Sequence, residues 1–338
     1  MIRLLITSSG GTLIPILTKF LKKDHQLGKI YIVGIDKKKI KKNSSIDKFY
    51  CLKTSQKKKY IFKLLSVCKK ERINVLIPYS DFEAKIISEF KRKFLKLGIK
   101  TLVNDKSITD IISNKYLTYS ILKKKGVQVP KFKLVKNLKQ LRRSLIEFNY
   151  PKLPVVIKPS HSIGGRGVLI LNGKKQKIAK WINGGKREKI FHKEKKIFSK
   201  KIFNYGPLLI MEALNAPAYD IDCYVQKKNK LVIIRKRINP AGIPYRGNYL
   251  IKDRKIKNYC KKIIETLKIN SLVDIDLLTS KEGNPLLLEV NPRPSGSAVI
   301  AHLANLPIFS YVIAKILNKK YSINFSKVKF NRKLKLSV

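Results

Sequence analysis

Acidic side chains are what this sequence is short of. Asp and Glu together number 21 against 75 Lys and Arg, a formal net charge of +54 over 338 residues. Such an excess admits an anionic partner, nucleic acid or an anionic membrane surface. Of the 75, however, 62 are Lys, spread along the chain in runs such as "KKKIKKN", "QKKKY" and "KREKIFHKEKK". They are neither confined to one segment nor interleaved regularly with aromatics, which is the pattern of background lysine enrichment. Cysteine is scarce as well. Cys51, Cys68, Cys223 and Cys260 show no metal or redox spacing and read as reduced core residues of a cytoplasmic protein. No apolar run approaches the roughly 18 to 20 residues that span a bilayer. The opening "MIRLLITSSGGT" is too short in its apolar part for a secretory signal and reads as a strand entering a turn.

What is present is ordinary for a globular chain: 44% hydrophobic residues, and length enough for two or three subdomains with real cores. Against the lysine background the rarer charges become informative. Only 13 residues are Arg, and Arg166, Arg235, Arg237, Arg246 and Arg293 lie beside the motifs below. Arginine makes bidentate contacts to phosphate and carboxylate that lysine cannot imitate. Of the few carboxylates, Glu212, Asp220, Asp222, Asp274, Asp276 and Glu289 fall in one part of the chain.

Residues 1 to about 110 alternate short apolar runs ("IRLLIT", "IYIVGID", "INVLIPYSD", "IKTLVND") with helical patterns, including Leu13 to Lys23. That predicts a parallel sheet with helices on its faces. The Gly10-Gly11 turn could hold an anion at a helix N-terminus, but it lacks the G-x-G-x-x-G spacing and a tight turn explains it equally well. A helix is predicted from Asp110 to Gly126, and another from Leu138 to Phe148. The lysine-rich stretch Lys174 to Tyr205 reads as helix plus loop. Beyond it, antiparallel-looking strands surround isolated helices, as in an α+β domain.

Four stretches carry chemistry. In "VVIKPSHSIGGRGVLIL", apolar strands flank a loop holding Lys158, Ser160, Gly164, Gly165 and Gly167. A glycine loop can close backbone N–H groups over phosphates while a strand-end lysine adds a point charge. A plain hairpin with a flexible turn is the alternative. In "LLIMEALNAPAYDIDCYV" a strand exits at Met211 to Leu214 and re-enters with Asp220 and Asp222 on one face. Its hinge could meet a flat heterocycle; the alternative is a strand-loop-strand with solvated acids. "LVDIDLL" and "LLLEVNP" put Asp274 with Asp276, and Glu289 with Asn291, on single faces around a predicted turn "TSKEGNP". Two carboxylates and an amide converging in an apolar sheet repel unless a cation sits among them, and all-oxygen ligands suit Mg²⁺. Neutralisation by nearby lysines is the alternative. Finally, Arg235, Arg237, Arg246 and Arg293 could neutralise a transferring phosphoryl group and a carboxylate. For Arg235 and Arg246 plain surface charge is an equal reading; Arg237 is preferred. His25, His161, His192 and His302 are isolated, with no nucleophilic triad in view.

The order of these motifs resembles the ATP-grasp superfamily over nearly the whole chain, in particular single synthetase units of the carbamoyl-phosphate synthetase large subunit. The resemblance rests on "LLITSSGG", "GID", "LIPYSD", "NKYLTYSILKKKGVQVPKF", the glycine loop, the acidic hinge, the basic strand and E-x-N-P-R. It implies a Rossmann-like α/β pre-ATP-grasp domain (1–110) followed by an α+β two-lobed ATP-grasp domain (111–320). Within the latter the lid lobe would be about 130–210 and the metal lobe about 211–320, with a basic tail at 321–338. It further implies ATP and Mg²⁺, two ions, with Mn²⁺ as a substitute. Lys115 and Lys158 would contact phosphates, and the Ser160 to Gly167 loop, with Gly164, Gly165 and Arg166, would fold over them. Glu212 and Leu214 would mark the adenine hinge. Asp276, Glu289 and Asn291 would bind metal, while Arg237 and Arg293 would face the reacting groups. One departure stands out: Ala218 occupies the place of a ribose-contacting glutamate, and Asp220 could compensate. The implied activity is ligation of a small carboxylate to an amine through an acyl phosphate, in the cytoplasm, with a homodimer allowed. The alternatives are a basic nucleic-acid-binding protein on this scaffold and a carbamoyl-phosphate-synthase-like enzyme.

Overall fold

The computed structural model describes residues 1–39, 45–54, 56–161, 167–172, 175–182, 186–192, 200–204, 206–227, 229–239 and 247–335. The chain forms two compact units. One comprises 1–110, 217–277 and 289–338; the other comprises 111–216 and 278–288.

The first unit begins with five parallel strands, β1 (Ile2–Ile6), β2 (Ile30–Asp36), β3 (Lys48–Cys51), β4 (Val75–Ile77) and β5 (Lys100–Thr101), ordered β3-β2-β1-β4-β5. Helices α1 (Ile14–Lys23), α2 (Lys57–Lys70), α3 (Asp81–Glu89) and α4 (Lys91–Lys96) connect them. Successive side chains of a strand point to opposite faces, so β1 feeds two cores. Leu4 and Ile6 join one hydrophobic cluster and Leu5 another. This is why Leu4, Leu5 and Ile6 read as an apolar run rather than an alternation.

Helix α5 (Lys106–Ile112) ends as the second unit begins, and α6 (Lys115–Lys124) of that unit follows it, where the sequence suggested one continuous helix. The break has a local cause: the Asn114 side chain caps α6 by accepting from the Leu117 N–H at 3.2 Å. Strands β6 (Phe132–Val135), β7 (Val155–Pro159), β8 (Leu169–Asn172), β9 (Lys175–Ile182), β10 (Lys186–His192) and β11 (Leu208–Glu212) form a sheet ordered β10-β9-β8-β7-β11-β6, with α7 (Leu138–Glu147) packed on it. The helix expected after Lys174 is overturned by β9 and β10, which pair antiparallel from Lys186↔Ile182 to His192↔Gln176. Their lysine-rich sequences show no strand alternation, and lysine is a usual occupant of strands at a sheet margin.

The third sheet runs β16-β15-β12-β13-β14-β17. Its strands are β12 (Asn215–Gln226), β13 (Asn229–Arg237), β14 (Asn248–Ile251), β15 (Leu272–Thr279), β16 (Pro285–Asn291) and β17 (Lys333–Leu334), with α8 (Arg254–Thr266) before β15. The turn 280–284 is closed by the Ser280 N–H on the Asn284 carbonyl, with Gly283 at φ +77°. Such a backbone conformation costs little only for glycine. A 3₁₀ turn, Ala298–Ala304, and α9 (Ile308–Ile316) share one apolar core with α1, β1 and β13. Tyr321, Val328 and Leu334 of the final segment belong to the same core. No single helix among the described residues is long and apolar enough to cross a membrane.

His302 sits in that core beside Phe20 and Phe309, at centroid distances of 5.0 and 6.1 Å. Its Nε2 is buried without a hydrogen-bond partner among the described residues. Burial pushes its pKa down to about 4, against a small opposing pull from Asp24. The unfolded chain therefore takes up a proton near pH 6.5 that the folded chain refuses until about pH 4, and stability is lost as pH falls through that window. His302→Leu is expected to remove this loss. Between pH 7.5 and 4.5 the variant should gain about 2.5 kcal/mol relative to the parent in urea unfolding. An unchanged difference across that range would refute a neutral buried imidazole.

Candidate active site

Four adjacent strands of the third sheet carry a row of polar side chains across an otherwise apolar surface. Asn291 ends β16, Asp274 and Asp276 lie on β15, Asp220 and Asp222 on β12, and Arg235 and Arg237 on β13. The period of two puts each i, i+2 pair on one face, and the strand order sets them side by side. Asp220 stands opposite Arg235 in register. The arginine nevertheless forks onto Asp222, with Nε to Oδ2 at 2.7 Å and Nη2 to Oδ1 at 3.1 Å, while Nη1 donates to Ser297 Oγ at 2.6 Å. Arg237 donates from Nε to Asp220 Oδ1 at 2.9 Å, and its Nη2 bridges Asp220 and Asp276, the latter at 2.9 Å. Arg293 ties Asp274 Oδ2 (3.2 Å) to Asp81 Oδ1 (3.1 Å) at the start of α3. The Asn291 amide nitrogen reaches Asp274 and Asp276 at 3.3 and 3.4 Å.

Solvated acids and surface arginine are therefore the wrong description of this region. Asp220, Asp222 and Arg235 are at most 1% exposed. Burial raises the pKa of Asp222 in spite of Arg235. Burial acts likewise on Asp220, but there Arg237 and Arg235 together outweigh it and the net shift is downward. Asp274 is pushed up to about 7, chiefly by burial and further by Asp220 and Asp222, against the pull of Arg293. Asp276 is raised well above the usual range by burial and then by Asp274, with Glu289 adding to the repulsion. Arg237 and Arg293 stay charged because the surrounding aspartates outweigh their own desolvation.

The residues present fit a hard cation. One carboxylate oxygen each from Asp220, Asp274 and Asp276 lie within 4.8 Å of one another. Among the described residues, Asp220 Oδ2 and Asp274 Oδ1 are buried without a hydrogen-bond partner. Unsatisfied buried oxygens are costly, and a Mg²⁺-type ion coordinates such oxygens. Of the metal ligands expected from sequence, Asp276 lies in this group and Asn291 touches it. Glu289, half-buried, acts on Asp276 and Arg293 electrostatically without belonging to the three-carboxylate set.

The second unit holds the residues expected to meet a nucleotide. Lys158, 3% exposed at the end of β7, donates to the Leu288 carbonyl at 3.2 Å and approaches the Tyr119 hydroxyl at 3.5 Å. Tyr119 itself donates to the Leu287 and Leu288 carbonyls. Lys115 is buried at the first position of α6, and its backbone N–H bonds the Ser160 carbonyl at 3.1 Å. Ser160 Oγ lies 3.2 Å from His161 Nδ1. Gly167 has φ +70°, and a Cβ there would meet Pro159 at 3.1 Å. Glu212 accepts from the Lys131 N–H at 2.6 Å, and Leu214 is half-buried beyond it. Asp220 is not part of this group; it belongs to the buried acid row. Gly164, Gly165, Arg166 and Arg246 lie outside the described residues. Sequence reasoning did not reach Asp81 and Ser297, whose one signal was the rarity of acids for the former. It named Asp274 and Asp222 without assigning them a role.

Comparison with known proteins adds three family matches. Residues 4–102 match "PylC-like, N-terminal domain", 96–197 match "Sugar-transfer associated ATP-grasp", and 204–335 match "ATP-grasp in the biosynthetic pathway with Ter operon". The carbamoyl phosphate synthase large chain of Pseudothermotoga lettingae is 25% identical over 245 residues, 68% of this chain and 20% of that one. The chain thus spans about a fifth of that relative's length. Among solved structures, an ADP complex of N5-carboxyaminoimidazole ribonucleotide synthetase superposes with a TM-score of 0.70 at 16% identity, covering 98% of this chain and 79% of that one. L-amino acid ligase from Bacillus licheniformis superposes at 0.67 and 14%, covering 98% and 78%. At these identities the structural likeness establishes the fold.

Proposed function

The chain is an ATP-grasp protein, and from that premise we propose that it is an ATP-dependent ligase joining a small carboxylate to an amine. The observation that carries the reading is that one carboxylate oxygen from each of Asp220, Asp274 and Asp276 lies within 4.8 Å of the others in a sheet interior, where Asp220 Oδ2 and Asp274 Oδ1 find no hydrogen-bond partner among the described residues. In this reading Asp276 with Asp274, Asp220, Glu289 and Asn291 would hold Mg²⁺, which supplies charge neutralisation for a triphosphate. Lys115, Lys158 and the Ser160 to Gly167 loop would contact the phosphates, and Glu212 and Leu214 would flank the base. Residues 1–110 would serve as the pre-ATP-grasp domain.

The chemistry has two steps. A carboxylate oxygen of the substrate attacks the γ-phosphorus and ADP leaves, giving an acyl phosphate. An amine nitrogen then attacks the acyl carbon, phosphate leaves with the bonding pair, and the amine's proton is released. Neither step requires a covalent nucleophile from the chain; its contribution is positioning and electrostatics, with Arg293 and Arg237 opposing the negative charge that gathers on the transferring group. The relatives fit this reading in name: one is a carbamoyl phosphate synthase, one a synthetase solved with ADP, one an amino acid ligase.

Hydroxylamine trapping tests it. ATP, Mg²⁺ and a panel of carboxylates should yield a hydroxamate and ADP in equal amounts with at least one acid. Formation of AMP, or hydroxamate that appears without ATP, would overturn the mechanism.

A further inference from the structure

Arg235 and Arg237 sit two residues apart on one face of β13, yet their surroundings differ in kind. Arg235 is wholly buried, forked on Asp222 and bonded to Ser297, so its donors are committed inside the sheet. Arg237 lies at the cluster's margin: its side chain is 10% exposed and that of Asp276, its partner, 13%. Its hold is also divided. Nε and Nη2 both rest on Asp220, and only Nη2 reaches across to Asp276. Letting go of Asp276 would leave Arg237 anchored.

The same Asp276 carboxylate belongs to the trio of oxygens able to take a cation. Among the described residues the surrounding charges are six carboxylates (Asp81, Asp220, Asp222, Asp274, Asp276 and Glu289) and three guanidiniums. A divalent cation would relieve that imbalance, but it would also stand within a few ångströms of the Arg237 guanidinium and repel it. That repulsion sets the cation and Arg237 in competition for the carboxylate's charge.

We propose that Arg237 is a displaceable counter-ion. In the cation-free protein it holds Asp276, and a divalent cation and Arg237 are competing partners for that carboxylate. This rests on the metal reading above and adds to it. Its consequence is a site that resists a bare cation and accepts one accompanied by anionic phosphates, which also give the freed guanidinium a new partner.

The test is direct Mn²⁺ binding to the full chain without nucleotide, followed by electron paramagnetic resonance of free Mn²⁺. Arg237→Gln should bind Mn²⁺ at least tenfold more tightly than the parent. Arg237→Lys, whose ammonium cannot fork across two carboxylates, should tighten binding at least threefold, and it serves if the glutamine variant does not fold. Arg143→Gln removes the same charge at an 84% exposed position paired with Glu147, and it should leave affinity unchanged. Binding by the parent that is equal or weaker in both Arg237 variants overturns the competition, as does an equal gain in Arg143→Gln. If neither parent nor variants bind Mn²⁺, with or without ATP, the metal reading itself fails and this inference with it.

Discussion

Arg235→Met should destabilise the fold by about 3–5 kcal/mol, the cost typical of removing one partner from a buried ion pair. Among the described residues Arg235 is the largest fully buried side chain, and its donors are spent on Asp222 and Ser297. Methionine fills much of its volume but leaves the Asp222 carboxylate in a dry sheet without its fork. Burial already raises Asp222's pKa with the arginine in place. The same substitution unfastens Ser297 and with it the loop that follows Arg293. Replacing both partners, as in Arg235→Met with Asp222→Leu, should restore much of the loss, because the cost comes chiefly from the uncompensated charge. Urea unfolding of the parent, the single and the double variants measures this. A loss below about 1 kcal/mol in the single variant would mean that Arg235 contributes no more than an exposed ion pair.

Asp276→Asn should separate stability from activity. The surroundings of Asp276 disfavour its charge, with burial and Asp274 both opposing ionisation. A neutral isostere relieves that repulsion, so the variant should unfold at the same or higher urea concentration. ATP-dependent turnover should fall by a hundredfold or more, equivalent to about 2.7 kcal/mol of transition-state stabilisation. Charges kept in a site at the expense of fold stability are what a functional constellation looks like. A variant that is both more stable and fully active would remove Asp276 from the proposed chemistry.

Much of this arrangement was legible in the sequence. Short β-branched runs separated by amphipathic stretches foretold the parallel sheet of β1 to β5, and the capped helix after Ser80 follows its own N-terminal acids. The D-I-D and R-K-R spacings alone are enough to put Asp220 with Asp222, Asp274 with Asp276, and Arg235 with Arg237 on shared faces. The hairpin of β9 and β10 was not legible, because lysine, a good helix former, recurs at Lys175, Lys177, Lys180, Lys186 and Lys189 without a strand's alternation, and its partner β8 supplies the missing preference. Nor was the contact between Arg293 and Asp81, far apart in the chain and joined by packing alone.

By itself the sequence determined which side chains share a face and which charges are rare, since the period of a strand and the composition are local properties. Tertiary structure alone decided that β12 lies between β15 and β13, and hence that aspartates meet arginines rather than water. Strand order is set by how whole sheets bury their apolar faces, and no short stretch of sequence contains that information.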